Sequence, residues 1–390
     1  MRNELSLLVG LKNNIEYSKN FYTTTRALYP DAEIVFVSYG STDGTHEWLD
    51  SLNDANVIYY YEPVQKTFSD TYNKCTQLAT KSHVVFVHND MVLSPGFIET
   101  LTPQLREDRV ISYTVVEPPI FASDERPNKL IKDFGEDLLS LNIQAFYDFA
   151  ANRNASNDLV EYNSGVSFFL CLPRKVLLET GGLDRLFNPM FCEDDDLVLR
   201  LRLKGLKFFI SLNTLCYHFV SKTSRFSEEY QFKTKIIEQN SNKNFIRKWG
   251  FPVSSPVKKK FNTGFIIKNA TIEVVAEVEP YASEVYLDID PLAYIKHEQP
   301  NTGINLKQRL LPFNAVKGND ILISLDAKRF SNKTTNVLRH LVEIIDRHVN
   351  RQFNIFEKLI GKNNFRFQAD ILHIHIINLR SSEHSLINLK

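Results

Sequence analysis

The chain has 390 residues, enough for about two or three domains with sizeable cores, which excludes a peptide or a disulfide-stapled mini-protein. Lysine plus arginine and aspartate plus glutamate each number 46, so the formal charge is zero and no overall attraction to nucleic acid or an anionic membrane is expected. Hydrophobic residues make up 43% and charged residues 24%, which excludes a largely disordered chain.

Short runs of β-forming residues alternate with helical stretches over the first 110 residues. This alternation is typical of β-α-β crossovers, which build a parallel sheet. A nearly all-apolar strand such as Val84-Val85-Phe86-Val87 needs cover on both faces, as in a doubly wound sheet. The pattern predicts an α/β fold with strands at 5–11, 33–38, 57–61 and 83–88, and helices at 16–28, 45–52 and 67–80.

The pattern loosens over residues 117–160, which are interpreted either as an active-site lid or as plain surface irregularity. Regular structure then returns. The pattern predicts strands at 166–170, 208–210 and 215–218, and helices at 174–180, 193–204 and 228–249, the last ending at Gly250 and Pro252.

A domain boundary is expected near residue 255, giving a first domain at 1–255 and a smaller α/β domain at 256–390. The second part has alternating segments at 272–278, 285–290 and 321–325, a predicted helix at 335–359 and a strand-like stretch at 367–377. It carries no motif that indicates chemistry. Acceptor docking or self-association into a homo-oligomer is therefore the role expected for it.

The cysteine spacing and the lengths of the apolar runs bear on where in the cell the protein is expected. The four cysteines include no Cys-x-x-Cys pair and are predicted to be reduced, mostly buried thiols. No stretch approaches the roughly 18 apolar residues that a membrane span needs, and the apolar run at 5–11 is too short for a signal peptide. We expect a cytoplasmic protein without a transmembrane segment. The basic run Lys258-Lys259-Lys260 is either a contact to anionic lipid at the membrane periphery or a solvated linker.

Polar residues follow two of the predicted strands. A turn rich in glycine, serine and threonine covers residues 38–45, where backbone donors could meet a nucleotide or where Asp43 or Thr45 simply caps the next helix. His88-Asn89-Asp90 follows the apolar strand at 83–88. A carboxylate at such a strand end can hold Mg²⁺ or Mn²⁺ against a diphosphate.

Four consecutive acids, Glu193-Asp194-Asp195-Asp196, open a predicted helix. They suit a helix N-terminus, but together they repel one another unless a cation, a basic side chain or a proton-accepting role offsets the cost. His218 ends a short predicted strand and is either a core histidine or a ligand. His373 and His375 share one face of another strand, where a structural role is favoured over metal binding.

Taken in order, these features resemble the family 2 glycosyltransferases with the GT-A fold, over roughly residues 5–250. Gly181-Gly182-Leu183-Asp184 followed by Glu193-Asp194-x-Asp196-Leu197-x-x-Arg200 is similar to that family's Gly-Gly-Phe-Asp and Glu-Asp-x-Asp-Leu stretch. Asn244-Phe245-x-x-Lys248-Trp249-Gly250 is similar to the end of many such domains. The resemblance implies a Rossmann-like mixed sheet with helices on both faces, followed by the smaller α/β domain.

The resemblance also implies an enzyme of the hexosyltransferase type, which moves a sugar with inversion from a nucleotide-diphosphate sugar to a hydroxyl of a glycan or glycolipid. A divalent metal, Mn²⁺ or Mg²⁺, would be held by Asp90 and His218, and Asp194 of the Glu193-Asp194 pair would be the general base. Gly165 and Asp196 are the implied acceptor contacts. The implied donor contacts are Leu11, Ser38, Tyr39, Ser41, Asp43, Tyr72, Asn73, His88 and Asn89.

The departures from the family pattern all lie on the nucleotide side. Ser38 and Tyr39 stand where the family commonly has two acids, His88 replaces the first acid of Asp-x-Asp, and Tyr72 stands where arginine is common. Gly10-Leu11-Lys12-Asn13 replaces the Pro-Thr-Tyr-Asn of the first strand. A uridine diphosphate sugar is the favoured donor, and Tyr39 either stacks on the base or packs.

Two other functions stay open. The loss of the first acid at His88 suggests a catalytically inactive protein that binds a glycan or a nucleotide sugar. A nucleotidyltransferase would also use a metal and a diphosphate, but it needs a basic, glycine-rich phosphate loop, of which Gly10-Leu11-Lys12-Asn13 supplies only a fragment.

Overall fold

The computed structural model describes residues 4–121, 126–153, 158–162, 168–220, 232–352 and 364–378. The chain divides into two compact units, Met1–Lys235 and Ile236–Lys390. Each unit is built around a sheet of its own.

The first unit contains a ten-stranded sheet with helices packed against it. Its strands are β1 Leu5–Leu11, β2 Glu33–Tyr39, β3 Val57–Glu62, β4 His83–His88, β5 Met91–Leu93, β6 Arg109–Glu117, β7 Lys129–Ile131, β8 Leu159–Glu161, β9 Leu170–Pro173 and β10 Lys207–His218. Its helices are α1 Ile15–Leu28, α2 Thr45–Ser51, α3 Phe68–Leu78, α4 Phe97–Leu101, α5 Ile143–Ala151, α6 Arg174–Glu179 and α7 Glu193–Leu203.

The strands of this sheet run in the order β3-β2-β1-β4-β9-β6-β10-β5, with β7 beside β6 and β8 beside β10. The first four in that order are parallel, β9 is antiparallel to both of its neighbours, and β10 is parallel to β6. The β2 strand is buried throughout, as expected for an apolar strand covered on both faces. The carboxyl ends of β1, β2 and β4 therefore lie at one edge, where ligands of such sheets bind.

The second unit contains a six-stranded sheet in the order β13-β12-β11-β14-β16-β15. Its strands are β11 Thr263–Lys268, β12 Glu284–Leu287, β13 Leu310–Pro312, β14 Ile321–Asp326, β15 Phe365–Ala369 and β16 Leu372–Ile376. The helices from its start onward are α8 Thr234–Trp249, α9 Ile272–Val278, α10 Leu292–Glu298, α11 Leu306–Arg309, α12 Asn332–Arg339 and α13 Leu341–Gln352. The predicted fold class, a mixed α/β sheet followed by a smaller α/β domain, is confirmed.

A buried ion network explains why α8 belongs to the second unit. Arg247 on α8 is fully buried, and its guanidinium lies 2.7 Å from a carboxylate oxygen of Glu279 and 2.6 Å from one of Glu298. Because an unpaired buried charge is costly, these contacts tie α8 to the elements that follow it. Residues 236–255, which the sequence analysis assigned to the first domain, thus lie in the second compact unit.

Local patterns were misleading at three places. The alternating segment at 272–278 is the helix α9, because the Thr271 side chain accepts a hydrogen bond from the Val274 amide and caps a helix there. The predicted strands at 208–210 and 215–218 are one strand, β10, with an irregularity between Ser211 and Leu215. The helix predicted at 335–359 is divided into α12 and α13 within its described part.

Within the described ranges, all four cysteines are buried and none forms a disulfide. Over the same ranges, the chain contains no helix with the length and apolar character needed to cross a bilayer.

Candidate active site

A cavity of about 210 Å³ opens at the carboxyl ends of β1, β2 and β4. Its wall combines the strand ends with the start of α3, the segment before α7 and the end of β10. The lining residues from these elements include Gly10, Leu11, Lys12, Tyr39, Lys66, Phe68, Tyr72, His88, Asn89, Asp90, Phe168, Glu193 and His218. The polar residues that follow the predicted strands thus converge at one place, as the parallel sheet requires.

The loops after β1 and β2 are tied together by hydrogen bonds. The Asn13 amide donates to Ser41 Oγ at 2.9 Å, and the Ile15 amide at the start of α1 donates to Asp43 Oδ2 at 2.8 Å. Asp43 also accepts from the amide and hydroxyl of Thr45. Ser41 and Asp43 thus hold the ends of β1 and β2 together. The N-cap of α2 is Gly44, which makes no side-chain cap hydrogen bond, so capping of that helix by Asp43 or Thr45 is not observed.

Ser38 and Tyr39 play different parts at the end of β2. Ser38 is fully buried, and its hydroxyl lies 2.8 Å from Ser41 Oγ and 3.1 Å from His46 Nε2. Tyr39 lines the cavity, and the Lys66 ammonium lies 4.4 Å from the centre of its ring. A cation on an aromatic face is attractive, so Lys66 holds the Tyr39 ring in place at the wall.

Strand pairing brings Asp90 and His218 together. Asp90 directly precedes β5, and β5 is antiparallel to β10 with Met91 opposite His218. The Phe219 amide donates to the Asp90 carbonyl at 3.0 Å, which fixes this register. As a result, Asp90 Oδ1 lies 3.5 Å from His218 Nε2 in a nearly solvent-free position.

His88 completes a cluster of three side chains. Its Nδ1 lies 3.9 Å from Asp90 Oδ1, and one ligand atom from each of His88, Asp90 and His218 lies within 4.8 Å of the other two. The Nε2 atoms of both histidines are buried and make no hydrogen bond to the described residues. The nitrogens that face the Asp90 carboxylate are His88 Nδ1 and His218 Nε2, and such a set of one carboxylate and two imidazoles suits a divalent cation.

Glu117, which the sequence analysis did not single out, binds the nitrogen of His218 that faces away from Asp90. Because β6 and β10 are parallel with Val116 opposite Tyr217, Glu117 comes to lie beside His218. Glu117 Oε1 lies 2.8 Å from His218 Nδ1, and its other oxygen lies 2.7 Å from the buried ammonium of Lys129. Burial alone would lower the pKa of His218, but the carboxylates of Asp90 and Glu117 raise it to about 9.

Aromatic rings surround His88. Its ring centre lies 5.3 Å from that of Phe168 and 5.2 Å from that of Phe169, and Phe68 and Tyr72 lie around 6 Å away. Burial among these rings lowers the pKa of His88 to about 4. The imidazole is therefore neutral near pH 7.

The first two acids of α7 occupy different positions. Phe191 and Cys192 both have left-handed backbone angles, with φ of 77° and 65°, and this turn places Glu193 on the cavity wall. Burial and the neighbouring Asp194 carboxyl raise the pKa of Glu193 well above its usual value. Asp194 is not among the described lining residues. Its Oδ1 accepts from the Asp195 amide at 2.9 Å, and burial raises its pKa too.

Asp196 and Asn73, two predicted site residues, stabilise the turn at Gly181-Gly182 and do not line the cavity. Asp196 is fully buried and pairs with Arg200 at 2.8 Å, and Arg200 donates in turn to the carbonyls of Thr180 and Gly182 at 2.7 Å. Asn73 bonds both the amide and the carbonyl of Leu183 at 2.8 Å. Gly182 has φ of 69°, and a Cβ there would overlap the Asn73 side chain, so the turn needs glycine.

The structure thus separates the predicted residues into two groups. Those that line the cavity are Leu11, Tyr39, Tyr72, His88, Asn89, Asp90, Glu193 and His218. Those found elsewhere in the described ranges are Ser38, Ser41, Asp43, Asn73, Asp194 and Asp196. Gly165 lies outside the described residues. The ligand contacts expected of all these residues stay predictions.

The model of the family described as "Glycosyltransferase like family 2" matches residues 23–235, more than half of the chain. The chain belongs to this glycosyltransferase family. The membership predicted from residues 5–250 is thereby confirmed, and the matched region includes Asp90, the Glu193-Asp194 pair and His218.

Solved structures similar to this family 2 chain are distant in sequence. GalNAc-T7 with UDP, GalNAc and Mn²⁺ is 12% identical, with a TM-score of 0.46 and coverage of 62% of this chain and 47% of its own. The Pyrobaculum calidifontis mannosyltransferase PcManGT with GDP-Man and Mn²⁺ is 16% identical, with a TM-score of 0.43 and coverage of 64% of each chain. S. aureus TarS 1-349 with UDP is 14% identical, with a TM-score of 0.40 and coverage of 55% of this chain and 60% of its own.

The chain therefore spans between about half and two thirds of the length of these three proteins. No curated protein sequence matches it.

Proposed function

We propose that the protein transfers a sugar from a nucleotide-diphosphate sugar to a hydroxyl of a glycan or glycolipid, with inversion at the anomeric carbon and with a divalent metal. One observation carries this proposal: in a family 2 domain, a carboxylate-histidine cluster and a buried acid of the Glu-Asp pair line the same cavity. A small concave site with a few convergent polar groups and perturbed carboxyls is typical of an enzyme.

The donor would lie across the carboxyl ends of β1, β2 and β4. Lys12 and Lys66 line the cavity there and supply positive charge for a diphosphate. The Lys12 ammonium donates to the Gly40 carbonyl at 2.7 Å, which positions it beside the turn that follows β2. Tyr39 is one of the aromatic side chains at the cavity wall and is the one that we propose contacts the base, with uridine as that base.

Asp90 and His218 are the side chains that would hold the metal, with Glu117 orienting His218. Bound there, a divalent cation would offset the negative charge that grows on the departing diphosphate. Both side chains are almost fully buried, so the diphosphate would meet a site from which protein atoms exclude most water.

In the transfer step, the acceptor hydroxyl oxygen attacks the anomeric carbon as the bond from that carbon to the diphosphate oxygen breaks. The bonding electron pair leaves with the diphosphate, and the hydroxyl proton passes to a carboxylate. Of two adjacent buried carboxyls, one retains its proton more readily. Burial raises the pKa of both acids, that of Glu193 well above its usual value. The Asp195 amide donates to Asp194 Oδ1 and favours its ionised form, so Asp194 is the general base we propose, with Glu193 as its protonated neighbour on the cavity wall.

Incubation of the full chain with single nucleotide sugars, with and without Mn²⁺, tests this proposal. We expect one donor to raise the thermal unfolding temperature and to release nucleoside diphosphate only with Mn²⁺. Asp90→Ala should abolish the release, whereas Asp108→Ala, at an exposed aspartate away from the cavity, should not. Metal-independent release, or no stabilisation and no release with any donor, would contradict the proposal.

An inactive binding protein is the second candidate, and His88 in place of the first acid of the metal motif favours it. This protein would be stabilised by a donor or a glycan but would release no nucleoside diphosphate. The same two measurements therefore separate the two functions.

A further inference from the structure

His88, which stands where the family metal motif has its first acid, is itself a member of the cluster that it forms with Asp90 and His218. His88 Nδ1 lies 3.9 Å from Asp90 Oδ1, close to the 3.5 Å between that oxygen and His218 Nε2. Two ligands at about 2.1 Å from one ion lie roughly 3.4 Å apart at a tetrahedral angle, so only small side-chain shifts would bring these atoms onto a common ion.

From this geometry we infer that His88 coordinates the cation directly, which makes the centre a site of two imidazoles and one carboxylate with a preference for first-row transition metals over Mg²⁺. The inference rests on the proposed function, because it concerns the metal of the same cavity. It assigns to His88 the role of a metal ligand, where the resemblance alone implied a donor contact.

The surroundings of His88 support coordination. The rings of Phe168 and Phe169 are hydrophobic neighbours of the imidazole and offer it no hydrogen-bonding oxygen. Among the described residues, Asp90 is the acidic side chain that faces His88 within 4 Å. An imidazole surrounded by apolar rings and facing a carboxylate and a second imidazole is suited to share a cation with them.

The donor set determines which ions suit the centre. Mg²⁺ prefers oxygen ligands and loses its bound water reluctantly. Imidazole binds Co²⁺ and Zn²⁺ more strongly than Mn²⁺, and it binds Mn²⁺ more strongly than Mg²⁺. This donor set contains one carboxylate, where Asp-x-Asp with a histidine would contain two. Three protein ligands also leave coordination positions for diphosphate oxygens.

Metal binding to the full chain, freed of metal by a chelator and without any nucleotide sugar, tests the inference. Titration calorimetry would compare Co²⁺, Mn²⁺ and Mg²⁺ for the wild type and for His88→Asp. We expect the ratio of Co²⁺ to Mg²⁺ affinity to fall about tenfold or more in His88→Asp, because an oxygen ligand replaces a nitrogen. His373→Ala, which removes an exposed histidine of the second unit, is the matched control and should leave the ratio unchanged.

Pulsed EPR of the Mn²⁺-loaded protein gives an independent readout, because it counts the nitrogen nuclei bonded to the ion. The wild type should show two imidazole nitrogens and His88→Asp one. A single nitrogen in the wild type, or an unchanged affinity ratio in a folded His88→Asp variant, would overturn the inference. If that variant fails to fold, the nitrogen count of the wild type decides alone.

The outcome is separable from that of the proposed function. Two bound nitrogens without release of nucleoside diphosphate from any donor would sustain the inference and contradict the transfer activity. Mn²⁺-dependent release of nucleoside diphosphate with one bound nitrogen would sustain the transfer activity and contradict the inference about His88.

Discussion

Glu117 Oε1 and His218 Nδ1 lie 2.8 Å apart, although the two residues are 101 positions apart in the chain. The Lys129 ammonium holds the same carboxylate from the other side at 2.7 Å. This arrangement fixes the orientation of the imidazole and leaves its Nε2 facing Asp90. Carboxylates that orient metal-binding histidines in this way commonly contribute to metal affinity.

Glu117→Gln is expected to weaken metal binding by about 10- to 100-fold, because the amide keeps the shape of the side chain but loses the charge that faces His218. Titration of the metal-free protein with Mn²⁺ measures the effect, and thermal unfolding confirms that the variant is folded. Glu161→Gln, at an exposed residue of β8, should bind Mn²⁺ like the wild type. Equal affinities of Glu117→Gln and the wild type would show that Glu117 does not position the histidine.

The role of Glu117 could not be predicted from the sequence because it depends on the pairing of two distant strands. The sequence patterns predicted β1 and β4 with the bounds observed, because runs of apolar residues define buried strands locally. Glu117 acquires its role only through the pairing of β6 with β10, and neither the partner nor the register of that pairing is visible in local patterns. Asp90 could be found because it directly follows an apolar strand.

Asn73 and Asp196 have structural partners that the sequence does not reveal, and the ligand contacts expected of them stay predictions. Motif spacing marks both residues but does not distinguish ligand contact from structural support. In the structure, Asn73 bonds the backbone of Leu183 next to the Gly-Gly turn, and Asp196 bonds Arg200, which in turn bonds that turn. Helix α9 shows a third limit, since its apolar alternation fits a strand as well as a short helix until the Thr271 cap is seen.

Asp196→Ala should lower the free energy of unfolding by about 3–5 kcal/mol, because it leaves the buried Arg200 guanidinium without its carboxylate. Glu179→Ala removes the partner of Lys204 in a partly exposed pair and should cost about 0–1 kcal/mol. Urea denaturation of both variants measures the difference. Similar losses in the two variants would mean that the Asp196–Arg200 pair does not stabilise the turn that we assign to it.

The two acids of α7 should make stability depend on pH. Folding raises the pKa of Glu193 and Asp194, so the folded state binds protons more tightly than the unfolded state. The stability from these groups is then complete below the usual carboxyl pKa of about 4.3 and decreases as the pH rises through the folded-state values.

Glu193→Gln removes one of these titrating groups, and we expect it to be more stable than the wild type at pH 8, with the difference shrinking towards pH 4. Denaturation at several pH values checks this expectation. A variant that is less stable than the wild type at pH 8 would contradict a buried carboxyl with a raised pKa at this position.

The central claim is that a metal-anchored donor and a carboxylate of the Glu193-Asp194 pair meet in one catalytic cavity. The rate of nucleoside diphosphate release with Mn²⁺, compared among the wild type, Asp194→Asn and Asp195→Asn, tests it most directly. We predict that Asp194→Asn loses on the order of 10²–10⁴-fold in rate, as for the removal of a general base, while Asp195→Asn stays close to the wild type. Wild-type release by Asp194→Asn, or equal losses in both variants, would contradict the claim.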